Sequence, residues 1–188
     1  MAQPAEQHIE VNGVDVTALT GIIDNISKDA TLGKTQFRAT NLWLGGAHNR
    51  STIKDFYAAG GEDTLRTATF VYDNNEPALL LGGDTDVNPA EYLLHALAGC
   101  LTTTLVYHAA ARGIRIEQLE SRLEGDLDLR GLLGIADDVR PGYQSIRANF
   151  KVKADAPAEE LEALLKYSVV CDTVCRPVQV ETKVEKVD

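Results

Sequence analysis

The chain opens on alternating apolar and polar residues, HIEVNGVDV, broken at Asn12-Gly13. A two-residue hairpin turn needs positive φ at both positions, which Asn and Gly adopt at the least cost, so the pattern predicts a hairpin. Alternation returns at residues 36–44 (QFRATNLWL) and 65–72 (LRTATFVY), and predicts two strands. The stretch between them, GGAHNRSTIKDFYAAGGED, reads as a glycine-flanked loop with a short helix at its middle. Residues 73–77 (DNNEP) then turn the chain into a short apolar run at 78–81.

From residue 88 the period changes to that of a helix. Asn88 can cap, Pro89 suits the first helical position, and Glu91 stands three residues after the cap, where a carboxylate can bond back to the cap amide. The run AEYLLHALAGCLTTTLVYHAAAR continues to Gly113, a residue suited to a left-handed C-cap. Leu93, Leu97, Cys100, Leu101, Thr104, Leu105 and His108 share one broad stripe, and the residues beside it are mostly Ala, Leu, Thr and Val. The expectation is a central core helix buried nearly all round.

Alternation resumes over residues 114–130 and 143–153, across a loop containing Arg140-Pro141-Gly142. A second helix is expected from Asp155 or Pro157 through EELEALLKY, with a further helical turn at residues 169–174 that Pro177 stops. The closing VQVETKVEKV reads as a strand with a charged outer face. Strands, a central helix, more strands, a helix and a last strand make an α+β protein, its antiparallel sheets packed on helices.

Composition narrows the range of partners. A chain of 188 residues, 44% hydrophobic, can build one real core. Its 28 acidic and 18 basic residues leave a net charge of −10, the wrong sign for a phosphate backbone or an anionic membrane surface. No segment reads as long and apolar enough to span a bilayer, and MAQPAEQHIEV lacks the basic and apolar regions of an export signal. The expected compartment is the cytoplasm. There Cys100, Cys171 and Cys175 are expected to be free, catalytic or metal-bound rather than joined in structural disulfides.

Cys100 has two readings. It is a small core hydrophobe, or it is a reactive thiolate, in which case a mid-helix position gives no help from the helix dipole and a nearby cation is needed. Cys171 and Cys175, four residues apart, share a helix face. They are two unrelated thiols, or one of them resolves a sulfenic acid on Cys100, or all three sulfurs join His95 or His108 around zinc, though without the usual ligand spacing. Arg50, Arg66 and Arg176 are candidate thiolate stabilisers, since a guanidinium stays charged when partly buried. Glu91 is a cap residue, or it positions such a cation.

Residues 84–100, DTDVNPAEYLLHALAGC, resemble the osmotically inducible protein C (OsmC) family, which includes the organic hydroperoxide resistance proteins. That family opens its central helix on Asn-Pro-x-Glu and places a cysteine after Ala-Gly or Gly-Gly. Residues 168–178, SVVCDTVCRPV, look like a second landmark. The resemblance covers residues 36–188 as one domain and leaves residues 1–35 as an added arm. It implies an OsmC-like fold in an intertwined homodimer whose two sites are each built from both chains. It also implies a thiol-dependent peroxidase acting in oxidative stress defence. Cys100 attacks the O–O bond of an organic hydroperoxide, or of hydrogen peroxide. A second cysteine then condenses with the sulfenic acid, and an external dithiol, with no bound cofactor or metal, restores both. An arginine held by a glutamate keeps the attacking sulfur ionised.

Two positions depart from that pattern. Ala90 stands where the arginine-holding glutamate is often found, and its neighbour Glu91 points about 100° away around a helix. Ser168 stands at the usual resolving position, so Cys171, Cys175 or an external thiol takes that role. Arg50 is the arginine assigned to the site. The competing reading is a non-enzymatic dimer of the same fold that binds a small hydrophobic molecule or serves a structural role under stress.

Overall fold

The computed structural model describes residues 8–187. Residues 1–7, most of the segment read above as lacking an export signal, and residue 188 lie outside the described residues. The chain divides into two compact units, residues 1–95 and 96–188.

The first unit begins with the expected hairpin. Strands β1 (Glu10–Val11) and β2 (Val14–Asp15) pair antiparallel, and Asn12 and Gly13 make the turn at φ 55° and 75°. Helix α1 (Val16–Lys28) follows directly, capped by the Asp15 carboxylate, which accepts from the Ala18 N–H at 2.9 Å. The sequence reading missed this helix. Its Gly21 and several β-branched residues are poor helix formers and mask the periodicity.

Next come β3 (Gln36–Phe37) and β4 (Thr40–Gly45). The segment expected to be a loop with a short helix is instead three strands: β5 (His48–Ile53), β6 (Phe56–Ala58) and β7 (Gly61–Glu62). Of the strand expected at 65–72, only the end forms, as β8 (Phe70–Asn74). The sheet orders are β3-β6-β7 and β4-β5-β8. Strand β5 is polar, which hid it from a hydrophobic pattern, yet it is central and its backbone is paired on both sides. Residues 78–80 then form a 3₁₀ turn.

Helix α2 (Pro89–Ala110) starts in a reciprocal capping box. The Glu91 N–H donates to Asn88 Oδ1 at 2.8 Å, and the Asn88 N–H donates to Glu91 Oε2 at 3.0 Å. The Tyr92 hydroxyl donates to the Asp73 carbonyl at 3.1 Å and so ties this first turn to β8. Two expectations for the helix are corrected. It buries one face rather than its whole circumference, for Leu97, Leu101, Leu105, Ala109 and Ala110 are buried while Leu93 and Tyr107 are exposed. By length and composition it also meets the criterion for a membrane span, contrary to the reading above, as core helices of soluble proteins do too.

In the second unit α2 ends before Gly113, at φ 73°, and the chain enters β9 (Ile116–Asp126). A short helix, α3 (Leu129–Leu132), precedes β10 (Ser145–Ala154), which pairs antiparallel with β9 and sets Leu119 against Val152 and Leu123 against Ala148. Helix α4 (Ala158–Leu164) and a 3₁₀ turn (Leu165–Tyr167) lead to α5 (Val169–Cys175). Leu105 and Ala109 of α2 pack with Ile114, Leu161 and Leu164 into one core, partly covered by Leu119 and Val152. Each buried leucine contributes roughly 1.5–3 kcal/mol.

The expected closing strand does not form. Residues 177–187 have no regular structure, and Val178, Val180 and Val184 are exposed. Alternation supplies a strand with two faces but not with a ladder partner, and without one the extended backbone gains nothing over hydration.

Candidate active site

The first amides of any helix have no partner within it. At α5 two of them are used. The Cys171 N–H donates to the Ser168 hydroxyl oxygen at 3.3 Å, which makes Ser168 the cap. The Val170 N–H donates to the Cys100 sulfur at 3.4 Å. The Ser168 hydroxyl proton also points to Cys100 Sγ, at 3.2 Å, and Ser168 is fully buried. Cys100 itself is half-buried.

These contacts set the acidity of the sulfur. Burial pushes the Cys100 thiol up and is the strongest single influence, but the hydrogen bonds from Ser168, Val170, Thr104 and Val169 together outweigh it. The net result lies below the ordinary thiol value, so the anion forms more readily than on an ordinary thiol. Cys171 is shifted the other way, by burial first, then by its hydrogen bond with Cys175 and by the charges of Cys175 and Cys100. The Cys171 and Cys175 sulfurs lie 3.9 Å apart on the shared face expected from their spacing. Cys175 is exposed.

The other expected residues are placed as follows. Arg50 and Asp73 face each other in the β5–β8 register, and the carboxylate accepts from Arg50 Nε at 2.6 Å and from Nη2 at 2.7 Å. Asp73 is thereby held well below the usual carboxylate value, at about 2, with His48 a lesser influence. Arg176 pairs with Asp172 one helical turn away. Arg66 donates to the Lys54 carbonyl and lies over Phe56 and Phe70. Glu91 is engaged in its capping box. His108 stacks on Tyr167, with ring centroids 4.3 Å apart.

The supports actually found on Cys100 are thus the Ser168 and Thr104 hydroxyls and backbone amides, and Ser168 is the residue the sequence reading did not use in this way. A serine just ahead of a helical turn is a cap signal, but nothing in the chain's spacing says that the same hydroxyl meets a sulfur 68 residues away. Asp73, the carboxylate that holds Arg50, was also missed. Among the described residues, the three thiols and a histidine do not converge as a ligand set. The one group that does is His48, Asp73 and Asp86, whose ligand atoms lie within 4.8 Å of one another. There Arg50 already takes both oxygens of Asp73.

An apolar cleft of about 350 Å³ lies elsewhere in the second unit, lined by Leu105, Phe150, Val152, Leu161 and Leu165 with Glu162 at its edge. Cys100 does not line it.

No curated protein matches the chain in sequence. Among solved structures it is similar to the OsmC-like protein of Mycoplasma pneumoniae, at 15% identity and a TM-score of 0.57, over 76% of this chain and 89% of that one. It is also similar to an OsmC-like protein of unknown function from Vibrio cholerae, at 12% identity and a TM-score of 0.50, over 73% and 92% of the two chains. At such identities these likenesses speak for the fold. The OsmC-like protein family matches residues 82–183, more than half of the sequence and the part that holds all three cysteines. The chain belongs to the OsmC-like protein family.

Proposed function

We propose that the chain is a cysteine-dependent peroxidase that reduces organic hydroperoxides, with Cys100 as the attacking sulfur. The observation that carries this reading is the cradle of Ser168 and Val170 donors around a half-buried sulfur. Those donors favour the anion, and the anion is the nucleophile in O–O bond cleavage. The thiolate attacks the terminal peroxide oxygen, the alkoxide leaves and takes up a proton, and Cys100 becomes a sulfenic acid. Ser168 and Val170 then hold the sulfur in place for a second thiol, and an external dithiol completes the cycle.

In this reading Asp73 does for Arg50 what the resemblance gives to a glutamate, and Arg50 is the cation assigned to support the reaction. The working form is a homodimer in the cytoplasm. Support for self-association comes from the first unit, where Leu42 and Trp43 on β4 and Phe70 and Val71 on β8 are exposed.

The test is hydroperoxide consumption with dithiothreitol as reductant. Cys100→Ser is expected to abolish turnover, and an unchanged rate would end the proposal. A second reading, binding of a small hydrophobic molecule without catalysis, is favoured by the apolar cleft against Leu105. It predicts a lipophilic ligand that copurifies with the protein while Cys100 stays inert to peroxide.

A further inference from the structure

The second unit holds three sulfurs, two half-buried and one exposed. Cys100 is half-buried in its cradle. Cys171 is half-buried at the first turn of α5, and its backbone N–H shares the Ser168 hydroxyl with Cys100. The Cys171 sulfur also feels the charge of Cys100. Cys175 is exposed at the last position of α5, 3.9 Å from Cys171 by sulfur. Two unrelated buried thiols do not describe this arrangement, because Cys175 is exposed and its sulfur lies against that of Cys171.

We infer that Cys171 and Cys175 act in succession as a relay, which carries the disulfide from the Cys100 pocket to the exposed end of α5. This rests on the peroxidase reading and extends it. The first exchange begins from the Cys100 sulfenic acid. The Cys171 sulfur attacks the Cys100 sulfur, the S–O bond breaks, and the departing hydroxide takes the Cys171 proton as water. A Cys100–Cys171 disulfide results, and the oxidation came from the hydroperoxide. In the second exchange the Cys175 thiolate attacks the Cys171 sulfur, the bond to Cys100 breaks, and Cys100 leaves as a thiolate while the Cys175 proton goes to water. No net oxidation occurs, since one disulfide replaces another. An external dithiol then reduces Cys171–Cys175 and becomes a disulfide itself.

The surroundings favour this direction. Exchange is faster when the leaving sulfur is a stabilised anion, and Cys100 leaves into the hydrogen bonds of Ser168 and Val170. While Cys100 is charged it disfavours ionisation of Cys171, and oxidation to the uncharged sulfenic acid removes that restraint. Side chains four apart on a helix have Cβ atoms about 5–6 Å apart, whereas a disulfide wants about 3.5–4.5 Å. The last turn of α5 must therefore tighten by roughly 1–2 Å. Cys175 ends the helix, and the tightening works against the Arg176 N–H bond to the Asp172 carbonyl, at 2.8 Å, and the Arg176–Asp172 ion pair that close this turn.

The test is disulfide mapping by mass spectrometry on the full chain after one equivalent of tert-butyl hydroperoxide, without reductant. The wild type is expected to accumulate Cys171–Cys175 and to keep Cys100 reduced. Cys175→Ser, a change at an exposed position, is expected to trap Cys100–Cys171, and Cys171→Ser to leave a sulfenic acid on Cys100 that dimedone labels. A wild type that stops at Cys100–Cys171, or a Cys171→Ser variant that joins Cys100 to Cys175, overturns the relay and leaves the peroxidase reading intact. A Cys100 that never oxidises in any variant overturns both.

Discussion

In the second unit, Leu105, Ala109, Leu161 and Leu164 bury against one another until Leu105 is 1% exposed. In the first, Trp43 is 72% exposed and Leu42 64%, and no apolar side chain among the described residues is buried. The two units nevertheless have similar secondary structure content in the sense that each pairs antiparallel strands and carries at least one helix. The difference teaches that backbone pairing and apolar burial are separable. The first unit is held by ladders, caps and ion pairs such as Arg50–Asp73, while the second is held by a hydrocarbon core.

The largest expected effect strikes that core. Leu105→Ala removes a fully buried side chain and should cost about 2–5 kcal/mol in denaturant unfolding. If it costs no more than a surface change, the second unit is not core-dominated and the contrast fails.

Next comes Ser168→Ala. It leaves the Cys171 N–H and the Cys100 sulfur without their buried partner, with an expected loss of about 1–3 kcal/mol. The variant should also raise the Cys100 pKa, seen as a shift of the alkylation-rate profile to higher pH. A stability loss with no shift in that profile would make Ser168 a helix cap and nothing else.

The ion pair of the first unit gives a pH signature. The Asp73 carboxyl is depressed from 3.8 to about 2, so its contribution to stability is complete above the ordinary carboxylate value. That contribution is lost as the pH falls through about 2. Asp73→Asn should flatten the acid limb of the stability curve between roughly pH 4 and pH 2, read by circular dichroism in acid titration. An identical acid limb in the variant would show that Arg50–Asp73 adds nothing to the first unit.

The smallest effect on stability is expected at the bare sheet. Trp43→Ser should change unfolding of the dilute chain by about 0.5 kcal/mol or less, as at other exposed positions. Its consequence should appear in self-association, measured by sedimentation at rising concentration. A cost equal to that of Leu105→Ala would mean that Trp43 is covered in solution even when dilute.

Much of the local architecture was legible from residue pattern. The Asn12-Gly13 turn, the capping box at Asn88 and Glu91, the strand character of β9 and β10, and the stop of α5 ahead of Pro177 all follow from rules that act within a few residues. Elements whose support comes from elsewhere were misread. Strand β5 is polar and exists because β4 and β8 flank it, and residues 177–187 alternate well but join no strand ladder among the described residues. Helix α1 was hidden by its own weak formers.

The candidate site divides along the same line. Sequence by itself determined that Cys100 lies on a long apolar helix, that Cys171 and Cys175 share a helix face, and that Ser168 precedes a helical turn. All of these are consequences of short-range periodicity. Only the tertiary structure decided that Ser168 and Val170 are the donors to Cys100 and that Asp73 is the carboxylate on Arg50. Such contacts join residues far apart in the chain, and they depend on how packed elements bring hydrogen-bonding groups together, which no local rule of spacing encodes.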